Sequence, residues 1–120
     1  MEDIGIIDNY MDEREFRNYI ITFLEKEGFS DIKIDDTRIT DLNNYNNNDL
    51  TGIKDNSKYT IRALSNYKIT EKEVDDTVND MYNERVELGV ILTNTEVEKE
   101  VLEYAKKNNI TIYDRSYFTK

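Results

Sequence analysis

The sequence predicts an α/β domain, bordering on α+β, built on a central mixed sheet with helices on both faces, and three observations carry that reading. The stretch from Lys58 to Tyr113 runs strand–helix–strand–helix–strand, the order that builds parallel crossovers. Two strand-like segments flank the polar turn Lys54-Asp55-Asn56-Ser57, which adds an antiparallel β-hairpin. Val90-Ile91-Leu92 is a continuous apolar run, as expected of a strand covered on both faces. The 120 residues suit one compact domain over residues 11–120, after a flexible lead over residues 1–10.

The elements follow in order. Asp12 is an acceptable N-cap with Glu15 in the reciprocal position, and Phe16, Tyr19, Ile20, Phe23 and Leu24 make one apolar helix face. Gly28 closes that helix, and Phe29 is expected to fold back onto it. Ile32 and Ile34 suggest a short strand. Asp35 to Asn48 is polar and asparagine-rich, either a solvated connection or a loop flanking a site. Leu50 to Ile53 and Lys58 to Leu64 are the hairpin strands. In the second, Tyr59, Ile61 and Ala63 point one way, and Lys58, Thr60, Arg62 and Leu64 the other. Thr70 and Glu73 form a capping box for a helix reaching Leu88, with Val74, Val78, Met81, Tyr82 and Val86 as its apolar stripe and Gly89 as its breaker. Thr95, supported by Glu98, is read as the cap of a helix lined by Val97, Val101, Tyr104 and Ala105. The same Thr93-Asn94-Thr95 segment also stands where open α/β sheets bind ligands. Ile110, Ile112 and Tyr113 make the last strand.

Composition narrows the chemistry. There are no cysteines and no histidines, which removes disulfides, thiolate or imidazole catalysis and zinc fingers. What is left is carboxylate, lysine, tyrosine or serine chemistry, or a hard cation on oxygen ligands. The net charge is −10, with fourteen acids against seven bases in residues 1–60. Nucleic-acid binders normally carry a basic footprint, so this balance counts against autonomous duplex binding. No apolar run approaches the roughly 18 residues of a membrane span, and the start lacks a signal peptide's features, so a soluble, cytoplasmic protein is expected.

The segment NDLTGIKDNSKYTIRAL has the layout of a metal-dependent nuclease hairpin, with Asp49 at its head. Such a site needs a second oxygen ligand and, two residues on, a lysine on the same strand face. Those places hold Arg62 and Leu64. A guanidinium offers only donors and cannot ligate a cation, though it can pair with Asp49. Lys68, Lys72, Glu71 and Glu73 are the nearby groups from which a migrated site could be built. Each also reads as an ordinary solvated residue at a helix start.

The whole pattern resembles the Mrr-type restriction endonuclease domain of the PD-(D/E)xK nuclease superfamily. The resemblance is carried by EFRNYIITFLEKEGF, the hairpin, LGVILTN and EVLEYAKKNNITIYDRSYF in that order. It implies a restriction-endonuclease-like core and the metal-binding aspartate at Asp49. It also implies that Arg62 has taken the glutamine-or-glutamate position, Leu64 the lysine position, and Arg17 a place where many members keep an acid. The expectation is a catalytically inactive nuclease-like domain that binds another protein, with no cofactor and a metal-free Asp49–Arg62–Arg17 cluster. One alternative is a divergent endonuclease using magnesium or manganese. Another is a non-cleaving nucleic-acid binder using Arg17, Arg38, Lys54, Lys58 and Arg62. A third is an acidic decoy presenting Asp35, Asp36, Asp41 and Asp55. Tyr113, Tyr117 and Phe118 are the candidate contact surface, for a foreign protein or a homodimer.

Overall fold

The computed structural model describes residues 13–34 and 47–118. The lead over residues 1–10, the Asp12 cap, and Asp35, Asp36, Arg38 and Asp41 lie outside them. Helix α1 spans Glu13–Lys26, followed by β1 (Ser30–Ile34), β2 (Asn47–Lys54) and β3 (Ser57–Leu64). Then come α2 (Glu71–Glu84), β4 (Leu88–Thr93), α3 (Lys99–Lys107), β5 (Ile110–Tyr113) and the short α4 (Arg115–Phe118). The five strands form one mixed sheet in the order β1-β2-β3-β4-β5. The first three are antiparallel to one another, whereas β3, β4 and β5 run parallel.

Alternation along β3 decides which helix covers which face. Ile61 and Ala63 join Phe16, Ile20, Phe23 and Leu24 of α1 and Phe118 of α4 in one core cluster. Leu64 joins Val74 and Met81 of α2 and Val101 and Ala105 of α3 in the other. Helices therefore cover both faces. Arg62, which shares parity with Leu64, faces α2. The hairpin turn is tighter than the four polar residues suggested. Asp55 and Asn56 alone make it, both at positive φ (54° and 67°), the pairing a two-residue type I′ turn requires.

Two glycines act through geometry. Gly28 ends α1 at φ 102°, and the Phe29 amide then donates to the Leu24 carbonyl (2.9 Å) while its ring enters the α1 core. Gly89 is no helix breaker. The helix stops at Glu84, with Arg85 in the left-handed region, and Gly89 lies inside β4. A Cβ there would sit 2.8 Å from Met81 Sδ and 3.1 Å from Ile110 Cγ1, so the missing side chain lets α2 lie close on the sheet.

Further sequence expectations are corrected here. Tyr82, placed on the inner stripe of α2, is 84 % exposed, because the face that α2 turns to the sheet carries Glu73, Val74, Thr77 and Met81 instead. Phe118 is 3 % exposed and packs edge-on to Tyr19 and Phe23. Tyr113 and Tyr117 are half-buried and pack edge-on to Phe23 at 5.2 and 5.8 Å between ring centroids. Three residues offered as a contact surface thus brace β5 and α4 against α1.

Burial pushes the Tyr113 hydroxyl pKa above its ordinary value, with the Glu27 carboxylate adding to the shift. The phenolate is the disfavoured form in the folded state. Stability from this group is therefore complete below the unfolded tyrosine value of about 10 and is lost as pH rises through the folded value. A titration followed at 295 nm is expected to show a late-ionising tyrosine that Tyr113→Phe removes. Loss of no late step in that variant would contradict the assignment.

Candidate functional site

Asp49 of β2 stands directly opposite Arg62 of β3 in the hairpin register. Both residues are 6 % exposed and both face α2. Arg62 Nη2 donates to Asp80 Oδ2 of α2, and Arg62 Nε lies 3.7 Å from Asp49 Oδ1. The first contact is a charge-assisted hydrogen bond. The second is an ion pair too long to be one, and Nε is buried without any hydrogen bond.

One pleat back, Thr60 Oγ1 donates to Glu84 Oε1 (3.1 Å). Two strand residues advance about 6.6 Å and four helix residues about 6 Å, so the antiparallel pairs 60–84 and 62–80 stay in step. The helix is laid on the hairpin along a polar seam. Leu64 continues the same strand face but is fully buried with Ile69 and Val74, so no amine stands there.

The other sequence candidates are dispersed. Arg17 sits on α1, whose buried residues pack on the opposite face of the sheet. Glu73 is buried, and its Oε1 accepts from the Thr70 amide (2.6 Å) and hydroxyl (2.8 Å), so this carboxylate is the helix cap. Lys72 Nζ is held by Asp76 Oδ2 at 2.9 Å, and that hydrogen bond raises its pKa, so the side chain stays a protonated ammonium engaged with Asp76. Glu71 and Lys68 are exposed.

At the carboxyl ends of β3 and β4 the structure builds a loop staple. Asn66 and Asn94 exchange two hydrogen bonds, at 2.7 and 3.0 Å. Thr95 donates to the Tyr67 carbonyl (2.9 Å) rather than capping α3, which begins four residues later, after Glu98 with no side-chain cap. Asp114, between β5 and α4, holds the same region, accepting from the Val97 amide at 2.9 Å and the Tyr117 amide at 3.3 Å. A shallow cleft of about 400 Å³ opens between residues 66–68 and 95–98.

A family model described as restriction endonuclease, of the Mrr catalytic type, matches residues 8–120. The chain belongs to the Mrr-type restriction endonuclease family. A search of curated proteins finds no match. The fold is the expected one for this PD-(D/E)xK branch. The reactive centre is not. The Mrr fold implies a divalent cation at Asp49, and the side chains present do not fit one, because the Arg62 guanidinium lies against that carboxylate. Among the described residues no group of three or more acidic side chains could hold a metal ion. This Mrr-type domain thus lacks an obvious metal-binding cluster there, which is consistent with reduced catalytic capacity.

Asp80 is the site residue the sequence reading missed. Its signal was a second stripe on α2: Glu73, Thr77, Asp80 and Glu84, spaced four, three and four, beside the apolar one. Glu73 and Thr77 are buried and the last two are half-buried. A mostly acidic stripe next to an apolar stripe marks a helix edge that meets polar groups.

Proposed function

We propose that this domain is a catalytically inactive nuclease-like module that works by holding another protein, within an intracellular nucleic-acid-processing or genome-defence assembly. The observation that supports this reading is the Arg62 guanidinium, ion-paired to both Asp49 and Asp80 where an active site would carry its second metal ligand. Phosphodiester hydrolysis needs a cation on carboxylates, a group that polarises water and positive charge for the phosphate. Here an arginine stands at the second ligand's position and a core leucine at the lysine's. The net charge of −10 argues against phosphate as the natural partner and in favour of a protein surface. A homodimer is one form that partner can take. Light scattering separates a mass near 14.3 kDa from twice that value.

The test is incubation with DNA and with RNA in magnesium and in manganese, beside Asp49→Ala. The expected result is no cleavage by either protein. Cleavage by the native chain that Asp49→Ala abolishes would establish a divergent endonuclease instead. A gel shift weakening steeply with salt, without cleavage, would replace the protein partner by a nucleic acid.

A further inference from the structure

Helix α2 carries six acids and one lysine in its fourteen residues, and the fold engages four of the acids internally. Glu73 caps the helix, Asp76 holds Lys72, Asp80 receives Arg62, and Glu84 receives the Thr60 hydroxyl. Glu71 and Asp75 remain. Both are exposed, and among the described residues neither has an ion pair. They open a third stripe on the helix, Glu71, Asp75, Val78 and Tyr82, spaced four, three and four. Tyr104 of α3 stands beside it and donates to Asp75 Oδ1 at 2.6 Å. That hydrogen bond raises the Tyr104 pKa and the Glu71 charge adds to the shift, so both carboxylates bear on one phenol. At the other end of the stripe Tyr82 is 84 % exposed and makes no hydrogen bond or ring contact among the described residues. Arg85, exposed past the helix end, makes no cation–π contact with it either. A wetted ring and two carboxylates without a counter-charge are satisfied by one kind of group. A guanidinium stacks on an aromatic face and forks onto a carboxylate.

We propose that this outward stripe of α2 is the surface that holds the protein partner, and that the partner meets it with arginines. The inference rests on the protein-holding reading and adds the partner's contact chemistry. Asp75 and Tyr82 are seven residues apart, about 10.5 Å along the helix, so the partner presents two guanidinium groups rather than one. Arginines seven positions apart on a helix match that spacing. A second copy of this chain is the wrong occupant by charge, since a two-fold twin would set the same uncompensated acids against each other.

The test is a titration of the isotope-labelled full chain, followed by its amide NMR shifts, with an alanine-rich helical peptide bearing two arginines seven positions apart. The native chain is expected to bind it, with shifts gathered along Glu71 to Asn83, and to ignore the same peptide with glutamates in those places. Tyr82→Ser is expected to weaken binding about fivefold, the upper worth of an exposed cation–π contact. Glu71→Gln/Asp75→Asn is expected to weaken it by about as much. Glu96→Gln/Glu98→Gln removes the same charge from the segment before α3 and, at physiological salt, is expected to change it by less than about twofold. All these side chains are exposed, so the variants are expected to fold as the native chain does, which circular dichroism checks. A native chain that ignores the arginine peptide overturns the proposal. So does a Glu96→Gln/Glu98→Gln protein as weak as the α2 double variant, which would reduce the contact to net charge. Self-association that Tyr82→Ser abolishes, read by light scattering, would make the occupant a second copy and overturn it as well. None of these outcomes decides the protein-holding reading itself, which the cleavage and gel-shift assays test separately.

Discussion

Phe23→Ala is expected to lower the unfolding free energy by about 3–5 kcal/mol, the usual cost of emptying a buried phenylalanine site. Phe23 is 8 % exposed and meets three rings edge-on, Phe118 at 4.8 Å, Tyr113 at 5.2 Å and Tyr117 at 5.8 Å. Those rings come from β5 and α4, and Phe23 comes from α1, so one side chain joins the first helix to the end of the sheet. Each edge-to-face pair adds about 0.5–1.5 kcal/mol beyond its buried area, though the three are not independent. Against a typical total of about 5–15 kcal/mol, the loss is a large share. Urea denaturation measures it. A loss below about 1 kcal/mol would mean that the corner holds without this ring, whereas Tyr117→Ala, at the half-buried rim, is expected to cost distinctly less.

Asp80→Ala is expected to cost about as much, roughly 3–5 kcal/mol, for a different reason. The substitution removes little apolar contact. It strands the Arg62 guanidinium, 6 % exposed, with only the distant Asp49 contact. Glu84→Ala is the control, since it removes a hydrogen bond to the neutral Thr60 hydroxyl along the same seam. That loss should be about 1 kcal/mol. Equal costs for the two variants, read from denaturation midpoints at equal slope, would show that charge burial is not what Asp80 supports.

Much of this fold was legible because local signals agreed with one another. Gly28 followed by Phe29 announced the end of α1, and the Thr70–Glu73 box announced the start of α2. The alternation of Lys58 to Leu64 correctly placed Arg62 and Leu64 on one face. The errors share a physical cause. Tyr82 fits the helical period, but burial depends on where the neighbouring strand lies, and period alone does not encode that. Gly89 and Thr95 carry residue types with two common uses, and close packing or loop bonding overrode the cap and breaker readings. At the site, Asp49 and Arg62 could be paired from the hairpin alone. Asp80 lies eighteen residues beyond Arg62, on α2, and only the docking of that helix brings it into contact with Arg62.

The Asp49–Arg62 pairing also bears on how the hairpin finds its alignment. Shifting one strand by a single residue would turn Arg62 toward Phe16 and Ile20, and the apolar alternation forbids it. Shifting by two residues is subtler, because every side chain keeps its face and the alternation raises no objection. Asp49 would then lie opposite Thr60 or Leu64 instead of Arg62, and a buried carboxylate would meet a hydroxyl or a hydrocarbon. The ion pair therefore distinguishes the native alignment from the nearest error that hydrophobic patterning tolerates. The acidic side chain at Asp49 thus works as a proofreading mark for strand pairing.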